Sequence, residues 1–294
     1  MDLRQWGARA LGGTRGVMSV VRDLAADGVR TCSFLRGRLE FRPRADDVYI
    51  ATYPRSGTTW MQYVVHLLLR GGRDDFDHIC RVTPWFERSL ALQTRTADDF
   101  EHISAPRVFK THLVPAWMPA RGRVVHVVRD GREVARSYHE LYRSHLGYEG
   151  DFDAFFDRFL QGRLQYRSWF AHNEAWSQGR DGLEIMRVAY EDMQADLGQV
   201  VDRLADFFQR RMSNQLRALI LDRAHRDAMK AEEDRFDPII EDQLARGLHR
   251  GRFIGASPRR RAFDLSPEQA TRFRALLARP PAPAGPWALP DFLH

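Results

Sequence analysis

The sequence predicts an α/β fold: a central parallel sheet with helices on both faces and a P-loop-like strand, loop and helix able to bind phosphate. Three observations carry this. Short, nearly continuous apolar strands alternate with helical patterns, as in a parallel sheet covered on both sides. A Ser/Gly/Thr loop runs from the first strand directly into a helix. The 294 residues, 44% hydrophobic and 29% charged, suffice for one sizeable core and exclude a disordered, collagen-like or coiled-coil chain.

Residues 1–42 read as a helical lead-in. Val48-Tyr49-Ile50-Ala51-Thr52 is the first strand, followed by a tight loop and an apolar helical pattern from Met61 to Leu69 that stops at Gly71-Gly72. Arg107 to Lys110 reads as the second strand. Arg123 to Val128 is the third, leading into a helix from about Gly131 to Arg143. Glu184 to Val188 is the fourth, running through Tyr190-Glu191-Asp192 into a helix from Leu197 to Phe208. Residues 280–294 form a Pro-rich tail. No composition break divides the chain, so one domain over residues 1–294 is expected.

The charge balance, 45 − 39 = +6, is spread along the chain and suits an anionic ligand. Only Lys110 and Lys230 are lysines among the 45 basic residues, so a position that keeps Lys is informative. Cys32 and Cys80 lack metal or disulfide spacing and read as buried, reduced thiols. The longest apolar run, Tyr63 to Leu69, is broken by His66 and falls short of the roughly 18 residues that cross a bilayer. The first 30 residues carry no convincing leader. A cytoplasmic protein with no membrane or nucleic-acid partner and no metal is expected; nothing in the pattern sets an oligomeric state.

The loop from Tyr53 to Trp60 puts free backbone amides and the positive end of a helix dipole at one point. Arg55 adds a charged fork, Ser56, Thr58 and Thr59 add hydroxyls, and Gly57 lets the backbone close around an oxyanion. A plain helix start capped by Ser or Thr has the same composition. The Walker pattern is absent, since both its leading Gly and its Lys are missing.

Thr52-Tyr53-Pro54-Arg55-Ser56-Gly57-Thr58-Thr59-Trp60 resembles the 5′-phosphosulfate loop of the cytosolic sulfotransferases, T-Y-P-K-S-G-T-T-W, at eight of nine positions. Four further stretches follow in the family's order. Arg107 to Leu113 looks like its P-R-x-x-K-T-H-L strand end, and Val124 to Tyr142 is similar to its 3′-phosphate segment. Ser168-Trp169-Phe170-Ala171-His172 and Tyr190-Glu191-Asp192-Met193 resemble its S-W-x-x-H and Y-E-D-M blocks.

The resemblance implies sulfo transfer from 3′-phosphoadenosine 5′-phosphosulfate (PAPS) to a hydroxyl or amine of a small, hydrophobic acceptor. It implies His112 as general base, Lys110 on the transferring group and Arg55 on the leaving phosphate, with Ser56, Gly57, Thr58 and Thr59 as loop donors. Arg129 and Ser137 would hold the 3′-phosphate; Trp60 and Tyr190 would meet adenine; Arg250 and Gly251 would belong to a closing loop. Trp85, Phe86, Tyr138 and Leu141 are candidate acceptor walls. The chain departs from the family at Arg55, where Lys is usual, and in the loop Arg250 to Gly255, which has an extra residue and lacks D-W-K. A P-loop kinase, a nucleotide-binding pseudoenzyme and a nucleic-acid-binding protein stand as alternatives. By themselves His112 could be structural, Lys110 solvated, Trp60 core, and Arg129 with Asp130 a surface ion pair.

Overall fold

A computed structural model describes residues 28–237 and 265–279; Arg250, Gly251 and the Pro-rich tail lie outside them. Residues 28–40 are helical (α1), and the chain then enters β1, Val48–Thr52. The other strands are β2 (Val108–Thr111), β3 (Gly122–Val128) and β4 (Leu183–Ala189). All pair in parallel in the order β2-β1-β3-β4, with Val48 opposite Val108 and Arg123, and His126 opposite Arg187. Because β1 is central, all five of its residues are buried.

Alternation along β1 sends side chains into two different cores. Val48 and Ile50 join Val108, Val125 and Val127 beneath the apolar residues of α2, Thr58–Leu69. Tyr49 and Ala51 join Phe109, Phe34 and Trp176 on the opposite face. A third, aromatic cluster links Tyr53 to α6 (Gly131–His145), α7 (Phe152–Leu160) and the helix Pro267–Ala278.

Between α2 and β2 lie three short helices that the hydrophobic pattern did not reveal: α3 (Ile79–Val82), α4 (Phe86–Ala91) and α5 (Ala97–Glu101). They cover the β2 edge, where the Lys110 amide donates to the Pro84 carbonyl at 2.9 Å and Trp85 bridges to Lys110. The strand β2 starts one residue later than the sequence suggests. Arg107 is wholly buried and its guanidinium donates to both carboxylate oxygens of Asp47, at 2.7 Å each, which anchors the strand's entry. The cysteines depart from expectation, since Cys32 is exposed on α1 and Cys80 is half-buried. No helix among the described residues is long and apolar enough to cross a membrane.

Candidate functional site

The candidate residues collect at the carboxyl ends of the strands, where parallel α/β sheets place their ligands. Gly57 starts α2 with φ +90° and no side chain caps the helix, so the plain Ser/Thr cap is not what forms. The Tyr190 ring presses on this turn, since a Cβ on Gly57 would lie 2.5 Å from it. Ser56 Oγ is buried with no hydrogen-bond partner. An uncapped helix start, an orphan buried hydroxyl and a closely packed glycine together fit an oxyanion at this point.

Arg55 sits at φ +69°, a left-handed backbone that a non-glycine residue adopts at a cost. This turns its side chain toward α6, where Nε donates to Ser137 Oγ at 3.0 Å. The Arg129 guanidinium donates to the Arg55 carbonyl at 2.9 Å and lies 4.4 Å from the Tyr190 ring centroid. The sequence-predicted pair Arg129 and Ser137 therefore meets through Arg55. Burial, and then the like charge of Arg129, hold the Arg55 guanidinium below its ordinary pKa, a repulsion that a bound dianion would relieve. Asp130 caps α6 and pairs with Arg132, whereas Arg129 lies 3.5 Å from Glu133, so the Arg129–Asp130 surface pair does not form.

His112 follows β2 and is almost fully buried. Its Nδ1 lies 2.8 Å from the Thr52 carbonyl oxygen. A carbonyl only accepts, so Nδ1 carries the proton and Nε2 keeps its lone pair. Thr52 Oγ1, 3.2 Å from the same nitrogen, pairs in turn with Thr58 Oγ1 at 2.6 Å, tying the imidazole to the start of α2. Burial, reinforced by Lys110, pushes the His112 pKa well below 6.5 and keeps the ring neutral.

Lys110 is also buried, with Nζ 3.9 Å from the centroid of the Trp85 ring. Desolvation lowers its pKa to about 8, so it is still mostly charged at neutral pH. Lys110 is thus a buried cation beside the imidazole rather than a solvated surface lysine.

Trp85 and Tyr166 flank the imidazole, each with its ring centroid 5.0 Å away. Tyr166 and Glu87, whose carboxylate accepts from both rings, were missed from sequence. Phe86, expected as a wall, is a correction: it is fully buried in the opposite core among Phe41, Phe100 and Phe109. Trp85 is the extended residue just before α4 and Phe86 its first residue, and their side chains part there, Trp85 toward His112 and Phe86 into the opposite core. Tyr138 packs edge-on against Tyr53 in the aromatic cluster that Leu141 borders. The Trp60 indole donates to the Ala224 carbonyl at 2.8 Å and meets the Tyr190 ring at 5.8 Å, which leaves the two aromatics adjacent beside the loop.

Residues 45–277 match the family model described as Sulfotransferase domain. Sulfotransferase 1E1 of Homo sapiens is 30% identical over 60% of this chain and 63% of its own length. Cytosolic sulfotransferase 1 of Danio rerio is 33% identical over 65% of this chain and 68% of its own. The chain thus matches just under two thirds of the length of the human relative. Among solved structures, retinol dehydratase in complex with androsterone and PAP superposes with a TM-score of 0.68 at 20% identity, covering 84% of this chain and 86% of that one. Mouse sulfotransferase SULT7A1 complexed with PAP gives 0.63 at 20%, covering 85% and 88%. These two carry the fold, and the match over residues 45–277 carries the lineage: the chain belongs to the sulfotransferase family.

Proposed function

We propose that this protein is a sulfotransferase that takes PAPS as donor and moves its sulfo group to a hydroxyl or amine of a small, hydrophobic acceptor. The observation that carries this is the meeting of a neutral imidazole, with Nε2 as its basic nitrogen, and a buried lysine beside an uncapped helix start. His112 takes the acceptor proton on Nε2 as the acceptor oxygen or nitrogen bonds to sulfur and the bond from sulfur to the phosphate oxygen breaks. Lys110 stabilises charge on the transferring group. Arg55 and the first amides of α2 stabilise the oxyanion that departs. Arg129 and Ser137 hold the 3′-phosphate, and Trp60 and Tyr190 form the adenine side. A guanidinium at position 55 donates Nε–H to Ser137 and carries the same positive charge, so the family's electrostatic role survives the change from Lys.

One domain over residues 1–294 and a cytoplasmic location belong to the same proposal. The test is calorimetric titration with 3′-phosphoadenosine 5′-phosphate, ADP and AMP, beside an acceptor screen with radiolabelled donor. Charge-assisted hydrogen bonds to the 3′-phosphate contribute about 1.5–3 kcal/mol each, so the bisphosphate should bind at least roughly tenfold more tightly than ADP. Equal affinities would remove the 3′-phosphate site, and with it the proposed donor.

A further inference from the structure

Glu87, the second residue of α4, is fully buried, and one of its oxygens joins three parts of the site. Oε1 accepts from the Trp85 indole N–H at 2.7 Å, from the His112 backbone N–H at 2.8 Å and from the Tyr166 hydroxyl at 3.2 Å. Both rings thereby turn their polar ends toward Glu87 while contacting the imidazole. The Trp85 ring also carries the Lys110 ammonium.

We propose that Glu87 is an ionised positioning residue of the acceptor side: it fixes Trp85, Tyr166 and the His112 backbone, and it is the buried counter-charge of Lys110. The role in catalysis rests on the sulfo-transfer reading above, whereas the charge assignment does not. A neutral carboxyl would need an acceptor for its proton. Oε1 takes three donors, which favour the carboxylate, whereas Oε2 is buried with no hydrogen-bond partner in either protonation state. The carboxylate keeps all three donors and the nearby ammonium. Burial outweighs the opposing bonds from Trp85, His112 and Thr111 and holds the Glu87 pKa above the ordinary carboxylate value, so the charge assignment rests on the three donors and the ammonium.

The arrangement also bears on acceptor choice. With the indole N–H and the phenol O–H taken up by Glu87, these two walls present ring surface and few donors. An acceptor with one polar group, the one that reacts, loses little on entering. A polyol would bury hydroxyls against these walls without partners, at about 1–3 kcal/mol each.

The ammonium of Lys110 senses Cys80 from α3, Glu87 and Arg88 from α4, Arg55 from the loop and His112 just past the end of its own strand. Lys110 and Lys230 are the only lysines, so protein labelled with [13C]lysine gives two side-chain resonances, assigned with Lys230→Arg. Lys110 should titrate near 8 in the wild type. In Glu87→Gln, which keeps an oxygen for the three donors but removes the charge, its pKa should fall by about one unit. The same variant should lose about twofold in kcat/KM toward the donor at pH 7, rising toward about tenfold above pH 8, with acceptor KM changed less than about threefold, since the walls stay in place. A Lys110 pKa that does not move overturns the counter-charge. If the wild type transfers no sulfo group to any acceptor, the sulfo-transfer reading fails alone and the lysine titration still judges Glu87. Should Glu87→Gln not fold, infrared spectra of the wild type near pH 7 decide it: a protonated buried carboxyl band overturns the proposal, and its absence upholds it.

Discussion

Burial depresses the pKa of both His112 and Lys110, yet at pH 7 it leaves them in opposite states, the imidazole neutral and the ammonium charged. The active form therefore exists between the two pKa values, and the pH dependence of turnover follows with a definite sign. For kcat/KM toward the donor, the acid limb should lie well below 6.5 and the alkaline limb near 8. Saturating donor places anionic charge beside Lys110 and favours its charged form, so the alkaline limb of kcat should lie higher than that of kcat/KM. Lys110→Arg, always charged, should abolish the alkaline limb while lowering the rate. An alkaline limb that persists in Lys110→Arg would show that another group titrates there. His112→Ala should lower kcat by about 10²–10⁴ and leave the affinity for 3′-phosphoadenosine 5′-phosphate unchanged, because the base acts on the acceptor proton.

At the scale of one element, the start of α2 does the anion binding, and Gly57 makes that start possible. Its φ of +90° and the Tyr190 ring 2.5 Å from a notional Cβ each oppose a side chain. Gly57→Ala should cost about 1–2 kcal/mol in backbone strain alone, and displacing Tyr190 should also weaken nucleotide binding about tenfold or more. Calorimetry on a folded Gly57→Ala protein checks it; undiminished affinity would mean the phosphate lies elsewhere. This helix start was legible in the sequence because its function and its backbone geometry both need a local run of Ser, Gly and Thr. The first strand was legible residue for residue, as a buried run bounded by the loop. The entry of β2 was displaced by Arg107, whose ion pair with Asp47 spans sixty positions. Tyr166 and Glu87 stayed hidden for the same reason, since their bond joins residues 79 apart. A lone Glu in the apolar stretch Pro84-Trp85-Phe86-Glu87 was the available signal. Thr52 acts on His112 mainly through its carbonyl, a group every residue carries and no composition reveals.

Across the whole molecule, several imidazoles are buried in a neutral state, and together they set how stability depends on pH. Burial pushes His66 down to about 4 and His172 to about 3, and holds His112 and His126 well below 6.5. His126 stacks on Trp176 at 5.1 Å and lies 6.0 Å from His172, and all four nitrogens of the two histidines are buried without partners. In the unfolded chain each ring titrates near the ordinary 6.5. Between that value and its folded pKa, the unfolded state binds the extra proton and the native state does not, so stability falls as pH drops from about 6.5 toward 4. Each ring adds a slope of up to about 1.4 kcal/mol per pH unit, and several rings acting together should make the loss steep. Urea unfolding at pH 7, 6 and 5 measures it. His126→Phe keeps an aromatic ring against Trp176 and removes two orphan nitrogens, so it should be neutral or stabilising at pH 7 and should flatten the decline below 6.5. A decline as steep in His126→Phe as in the wild type would mean that His126 is protonated alike in both states, through a buried water or an opening of the core, and that the acid sensitivity comes from elsewhere.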